Sequence, residues 1–180
     1  MHFGQILKCD CANGIGIRLT LFVSGCTNHC AGCFQKETWD FDFGHLFTEE
    51  TEDFIINELK KPFYQGLTLL GGEPFEHVNQ IGLLDLVRKV KRTYPEKDIW
   101  AYSGFLFDRD IVGKQCDIFP ETKELLSYID VLVDGKFEES LKNPNLYFRG
   151  SSNQRIIDVQ ESLKLGEVSE IIFEKEKVLC

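Results

Sequence analysis

At 180 residues, with 43% hydrophobic content and 15 phenylalanines, the chain can bury one sizeable core, and no low-complexity linker divides it. A single domain over residues 1–180 is therefore expected. The net charge of −9 and isoelectric point near 5.0 argue against a nucleic-acid partner, whose phosphates would be repelled. Seven cysteines is an odd count, and neither a signal peptide nor an apolar span precedes them, so the chain reads as reduced and cytoplasmic, with no membrane partner.

In chain order, residues 17–23 are apolar and β-prone and end at Ser24 and Gly25, just ahead of a cysteine-rich loop. Thr48 offers a helix N-cap, with Glu49, Glu50, Glu52 and Asp53 where the dipole favours acids. Ile55 and Leu59 face that helix inward as far as Lys60, and Pro62 closes it. Residues 67–70 form a short buried-strand candidate. A second helix is expected over 79–94, where Ile81, Leu84 and Val87 and a companion set of Leu83, Leu86 and Val90 repeat at helical spacing up to Pro95. Its basic residues, Arg88, Lys89, Lys91 and Arg92, surround the helix and read as a solvated face. Strands follow at 99–102 and 131–133 with a short helix at 121–128 between them. Weaker strand signals at 155–158 and 171–173 flank a short helix at 159–165.

This alternation calls for an α/β fold, a mostly parallel sheet with helices outside. A closed eight-fold barrel needs about 250 residues, so this length makes only about six units, an incomplete open (βα)6-type barrel. An unclosed side leaves room for a large partner segment to approach the centre.

The run from Cys26 through Cys30 to Cys33 is a CxxxCxxC spacing, three thiolates on one short loop with no fourth. A four-iron cluster is normally held by four cysteinates, so three leave one iron open to a ligand. Zinc is the competing occupant, taking the same thiolates with His29 or a remote residue, although structural zinc sites more often use two separated ligand pairs. Gly71-Gly72-Glu73-Pro74, Tyr102-Ser103-Gly104 and Asp134-Gly135-Lys136 each follow a later strand. All four motifs thus fall at the carboxyl edge of the expected sheet, where parallel α/β folds bind ligands. The two glycines let backbone approach a ligand, and Glu73 can accept from an ammonium; taken alone, Gly-Gly before Glu-Pro is more often an ordinary turn. Asp134 and Lys136 are suited either to the two charged ends of an amino acid or to a surface ion pair.

The CxxxCxxC spacing resembles the signature of the radical S-adenosylmethionine enzymes, and the GGE run resembles the motif by which they hold the methionine amino group. Residues 13–18 and 22–26 resemble the entry strand of glycyl-radical-enzyme activases, and 130–137 their later strand with its Asp and Lys. The run Arg149-Gly150-Ser151-Ser152-Asn153-Gln154-Arg155-Ile156-Ile157-Asp158 resembles the C-terminal segment of the activases of anaerobic ribonucleoside-triphosphate reductases. Asn13 and Ile15 stand where many activases have Asp and Pro, and Gly32 where many radical enzymes have an aromatic before the last cysteine.

The resemblance implies one radical S-adenosylmethionine domain whose 4Fe-4S cluster is held by Cys26, Cys30 and Cys33. Gly71, Gly72, Glu73, Pro74, Ser103, Asp134 and Lys136 would bind S-adenosylmethionine. Reductive cleavage of that cofactor would yield a 5′-deoxyadenosyl radical that takes hydrogen from a glycine of the reductase large subunit. The electron would come from a low-potential donor such as flavodoxin or ferredoxin. Competing readings are a radical enzyme acting on a small molecule and a non-catalytic iron–sulfur or zinc module. Cys9, Cys11, Cys116 and Cys180 read as ordinary thiols, and His29 as a residue that shapes its loop. Trp100 and Tyr102 read as core and rim, with Tyr102 near the adenine, and Arg149 and Arg155 as contacts to cofactor or reductase, or as surface ion pairs.

Overall fold

Alternation along the strands decides which side chains turn toward the helices and which toward the opposite face. The computed structural model describes residues 1–173. Its strands are β1 (His2–Asp10), β2 (Ile17–Val23), β3 (His45–Leu46), β4 (Tyr64–Gly71), β5 (Asp98–Tyr102), β6 (Val131–Asp134) and β7 (Arg155–Asp158). They form one sheet in the order β3-β1-β2-β4-β5-β6-β7. Neighbours from β2 through β4 and β5 to β6 run parallel, while β1, β3 and β7 are added antiparallel at the two sides. The fold is thus α/β with a mixed, mostly parallel sheet.

Helices α1 (Glu49–Leu59) and α2 (His77–Thr93) follow β3 and β4, and α4 (Pro120–Tyr128) precedes β6. Two shorter helices, α3 (Cys116–Ile118) and α5 (Val159–Leu165), complete the α-helices among the described residues. Thr48 caps α1 in a capping box with Thr51. Leu83, Leu86, Val87 and Val90 bury the inner side of α2 in a core shared with Leu19, Leu21, Leu67, Leu69, Ile99 and Leu132. The intervening strand residues take the other face: Arg18, Thr20, Thr68 and Trp100 are buried there.

Several expectations need correction. The expected series of about six parallel units is reduced to four parallel strands. Between β6 and β7 lies only a short 3-10 turn (Glu139–Leu141), so no helix carries the chain across the sheet and β7 returns antiparallel. The cysteine loop follows the second strand rather than the first, because β1 precedes it. Residues 171–173 form no strand. The chain touches β7 through an isolated antiparallel bridge of Glu170 with Ile157 and a bond from Ile171 N to Ile156 O at 2.7 Å, but Ile172 is 85% exposed and the pairing does not extend through residues 172–173. A nine-residue π-helix (Phe107–Gln115) leading into α3 was not expected at all. Cys180 lies outside the described residues. Among the described residues, no helix is long and apolar enough to cross a membrane.

Candidate functional site

The cavity lies at the carboxyl ends of the parallel strands, with a volume of about 580 Å³, within the usual range for small-molecule sites. Cys26, Cys30 and Cys33 from the loop after β2, Gly71, Gly72 and Glu73 after β4, and Ser103 after β5 all line it. Pro74, Asp134 and Lys136 are not among its lining residues, although Gly135 is.

Backbone geometry explains the glycines. Gly71 has φ of 108°, and a Cβ there would come within 2.7 Å of Val23 O; one at Gly72 would come within 2.6 Å of Gly25 O. These close approaches bring the loop after β4 against the loop after β2, where Gly72 N donates to Val23 O at 2.7 Å and Glu73 N to Gly25 O at 2.9 Å.

Burial pushes the Cys26 thiol up to about 11, partly countered by the backbone N–H groups of Asn28 and His29. Cys30 is raised for the same reason, with Phe137 N–H and the Lys136 ammonium acting in the opposite direction. Thiols in this state lose their protons when a metal binds them. His29 adopts φ of 46° and its ring lies 4.5 Å from that of Trp39, in keeping with a loop-shaping role.

The Glu73 carboxyl is pushed up to about 7 by burial, partly offset by hydrogen bonds from Phe75 N, Gly104 N and Ser103 Oγ. Asp134 is fully buried and accepts from Arg155 Nε at 3.0 Å and Nη2 at 2.5 Å, and from Phe107 N at 2.7 Å. It therefore fastens β7 and the π-helix to the end of β6. Its ion pair is with Arg155, not with Lys136.

Beneath the cavity, Asp10 accepts from Thr20 Oγ1, Asn13 Nδ2 and Ala12 N, and Thr68 Oγ1 donates to Asn13 O. These bonds hold Ala12 and Asn13 at the cavity wall. The Tyr102 hydroxyl is buried without a hydrogen-bond partner, and so is Arg149 Nε; both residues line the cavity and leave donors for a polar ligand. Cys9, Cys11 and Cys116 are not lining residues.

Among the described residues, no three His, Cys, Asp or Glu side chains converge tightly enough for a single metal ion. Three thiols spread round one cavity fit a multi-iron cluster, which is larger than an ion and takes each cysteinate at a separate iron. Sequence reasoning missed Thr27, Asn28 and Glu76, which lie in or beside the recognised motifs and whose hydrogen bonds join the cysteine loop to the loop after β4. Glu76 stands three residues after Glu73, a spacing that could have marked it.

A family model described as a 4Fe-4S single cluster domain matches residues 12–157, which defines the class: a domain built around one four-iron cluster. The anaerobic ribonucleoside-triphosphate reductase-activating protein of Haemophilus influenzae is 44% identical over 158 residues, covering 87% of this chain and 97% of that relative. Its namesake from Vibrio cholerae is 42% identical over 158 residues, with 87% and 97% covered. That of Escherichia coli is 41% identical over 156 residues, with 86% and 96% covered. The chain belongs to this family of activating proteins.

Proposed function

We propose that this chain activates an anaerobic ribonucleoside-triphosphate reductase by radical chemistry on S-adenosylmethionine. The observation that carries the reading is the meeting of a three-cysteine loop with the ends of parallel strands β4 and β5 in one cavity. A four-iron cluster held by Cys26, Cys30 and Cys33 with one iron open would, once reduced by an external low-potential donor, supply the one electron for reductive cleavage of S-adenosylmethionine to methionine and a 5′-deoxyadenosyl radical, the species that would take hydrogen from a glycine Cα of the reductase.

The chain's own residues bind, orient and exclude water. Cys26, Cys30 and Cys33 would hold the cluster. The backbone of Gly71 and Gly72, with Ser103, would meet the cofactor. Pro74, Asp134 and Lys136 would shape the site from behind its wall, Asp134 through Arg155 and the π-helix. Phe22 and Leu70 provide an apolar floor that limits water at the reacting atoms. The reading takes residues 1–180 as one radical S-adenosylmethionine domain, its sheet an incomplete barrel open to the reductase, with flavodoxin or ferredoxin as electron donor. The relatives' name supports the choice of target.

The test is low-temperature EPR on anaerobically reconstituted protein, reduced and mixed with S-adenosylmethionine and the cognate reductase. An organic radical with the coupling of a glycyl Cα hydrogen, absent without S-adenosylmethionine, is expected. Cys26→Ala, Cys30→Ala and Cys33→Ala should each abolish cofactor cleavage. A cysteine variant that keeps iron and turnover would remove that residue from the ligand set, and a colourless zinc-loaded protein would sink the reading.

A further inference from the structure

The GGE glutamate faces the cysteine loop, and its acceptor capacity is already in use. Glu73 is 1% exposed. Its Oε1 accepts from Phe75 N at 2.9 Å and Ser103 Oγ at 2.8 Å, and its Oε2 from Asn28 Nδ2 at 2.9 Å and Gly104 N at 2.7 Å. A carboxylate offers about four acceptor positions, so four donors leave none for the ammonium of a ligand.

Two of those donors come from the loop after β5, one from the loop after β4, and the fourth from between the first two cysteines. The neighbouring Thr27 is held in parallel: its N and Oγ1 donate to Glu76 Oε1 at 2.8 and 2.5 Å. Asn79, fully buried on α2, adds a link by donating to Ser24 O and Glu73 O, each at 2.9 Å. A Cβ on Gly104 would come within 2.5 Å of Asn28 Nδ2, so the absence of a side chain there leaves the amide its place.

We infer that Glu73 is a positioning residue that acts through Asn28 on the cysteine loop, rather than a direct ligand to the cofactor's ammonium. The backbone of Gly71 and Gly72 is left to meet that group. This inference rests on the function proposed above and names how one of its residues works.

The two roles separate in a double-mutant cycle on the full chain, reconstituted under anaerobic conditions. Glu73→Gln keeps an acceptor on one oxygen but turns an amide toward Asn28 Nδ2 and Gly104 N, donor against donor. Asn28→Ala removes the same link from the other side without touching Glu73. The readouts are iron content, the EPR signal of the reduced cluster before any S-adenosylmethionine is added, and the dissociation constant for S-adenosylmethionine by equilibrium binding.

Both single variants should shift the cofactor-free cluster signal and weaken S-adenosylmethionine binding by about tenfold, the scale of one charge-assisted hydrogen bond. The double variant should be no worse than the poorer single one. Asn28→Asp, which sets a second carboxylate against Oε2, should reproduce the shift and guards against a misfolded Glu73→Gln protein. If Glu73→Gln loses the cofactor with its cofactor-free signal unchanged, and both Asn28 variants bind as the parent does, the inference is overturned and the function stands. A parent protein that takes up no cluster overturns both.

Discussion

Arg18 carries a full charge into the inner face of β2, where its side chain is completely buried. Nε donates to Thr68 Oγ1 at 2.6 Å and Nη2 to Leu67 O at 2.9 Å, while Nη2 pairs with Asp98 at 2.6 Å. The guanidinium also lies 5.3 Å from the Trp100 ring centroid. Breaking a buried pair by removing one partner leaves the other uncompensated, so Arg18→Leu should destabilise the fold by about 3 kcal/mol, the low end for such pairs because Asp98 is partly exposed. Urea unfolding would check it, and a loss below about 1 kcal/mol would mean that the pair is no better than a surface one. At this scale the sequence marked where the site's motifs lie. The convergence of the cysteines with Gly71, Gly72, Glu73 and Ser103 was legible because each follows a strand of one parallel set. The commitment of Asp134 to Arg155 was not, since it depends on β7 returning antiparallel and bringing residue 155 beside residue 134.

The end of α1 and the start of β4 share a cluster in which Lys61 Nζ and Tyr64 Oη donate to Glu58 Oε1. Lys61 above all, with Tyr64 and Lys8, holds the Glu58 carboxyl below its ordinary 4.5. A depressed carboxyl contributes stability that is fully present above that value and is lost as the pH falls through the folded one. Between about pH 6 and pH 3 the parent should therefore lose stability more steeply than Glu58→Gln, as measured by urea midpoints at each pH. Parallel curves would show that the cluster contributes nothing specific. Helix α1 was legible from its Thr48 cap, its apolar spacing and Pro62, and α2 from its apolar spacing and the Pro95 stop, while α4 was legible as a short run between two strands. β1 was not: register shifts between Phe3 and Gln5 and between Leu7 and Asp10, with Cys9 at φ of 54°, break the two-residue alternation that would reveal it. The π-helix also escaped, because its charged, glycine-containing run has no apolar period at the usual helical spacing.

On the scale of the molecule, stability is distributed unevenly around the cavity. Its floor is the parallel centre of the sheet, packed against α1, α2 and α4, and its outer wall is the segment 146–154, with Leu146, Phe148, Arg149 and Gly150 in the lining. That wall contains no regular strand or helix, and Phe148 sits at φ of 53°, a strained conformation for an aromatic residue. Gln154 holds it in place: Oε1 accepts from Gly150 N at 2.9 Å and Ser151 N at 3.1 Å, and Nε2 donates to Gly135 O at 3.0 Å at the end of β6. Asn153 Nδ2 adds a bond to Lys136 O at 2.8 Å. Much of the run that carries the resemblance to the activases is therefore the fastening of this wall. Phe148 packs edge-on against Trp100 and Ser151 is fully buried, yet Gln154→Ala removes three of the hydrogen bonds of a segment without regular structure and none from the sheet. Hydrogen exchange should accordingly speed up by about tenfold or more across 146–154 while β4 and β5 exchange as before, since local opening draws on the least stable unit first. If exchange rises equally in the central strands, the wall and the sheet open as one cooperative unit, and the segment is part of the core's stability rather than a separately held cover.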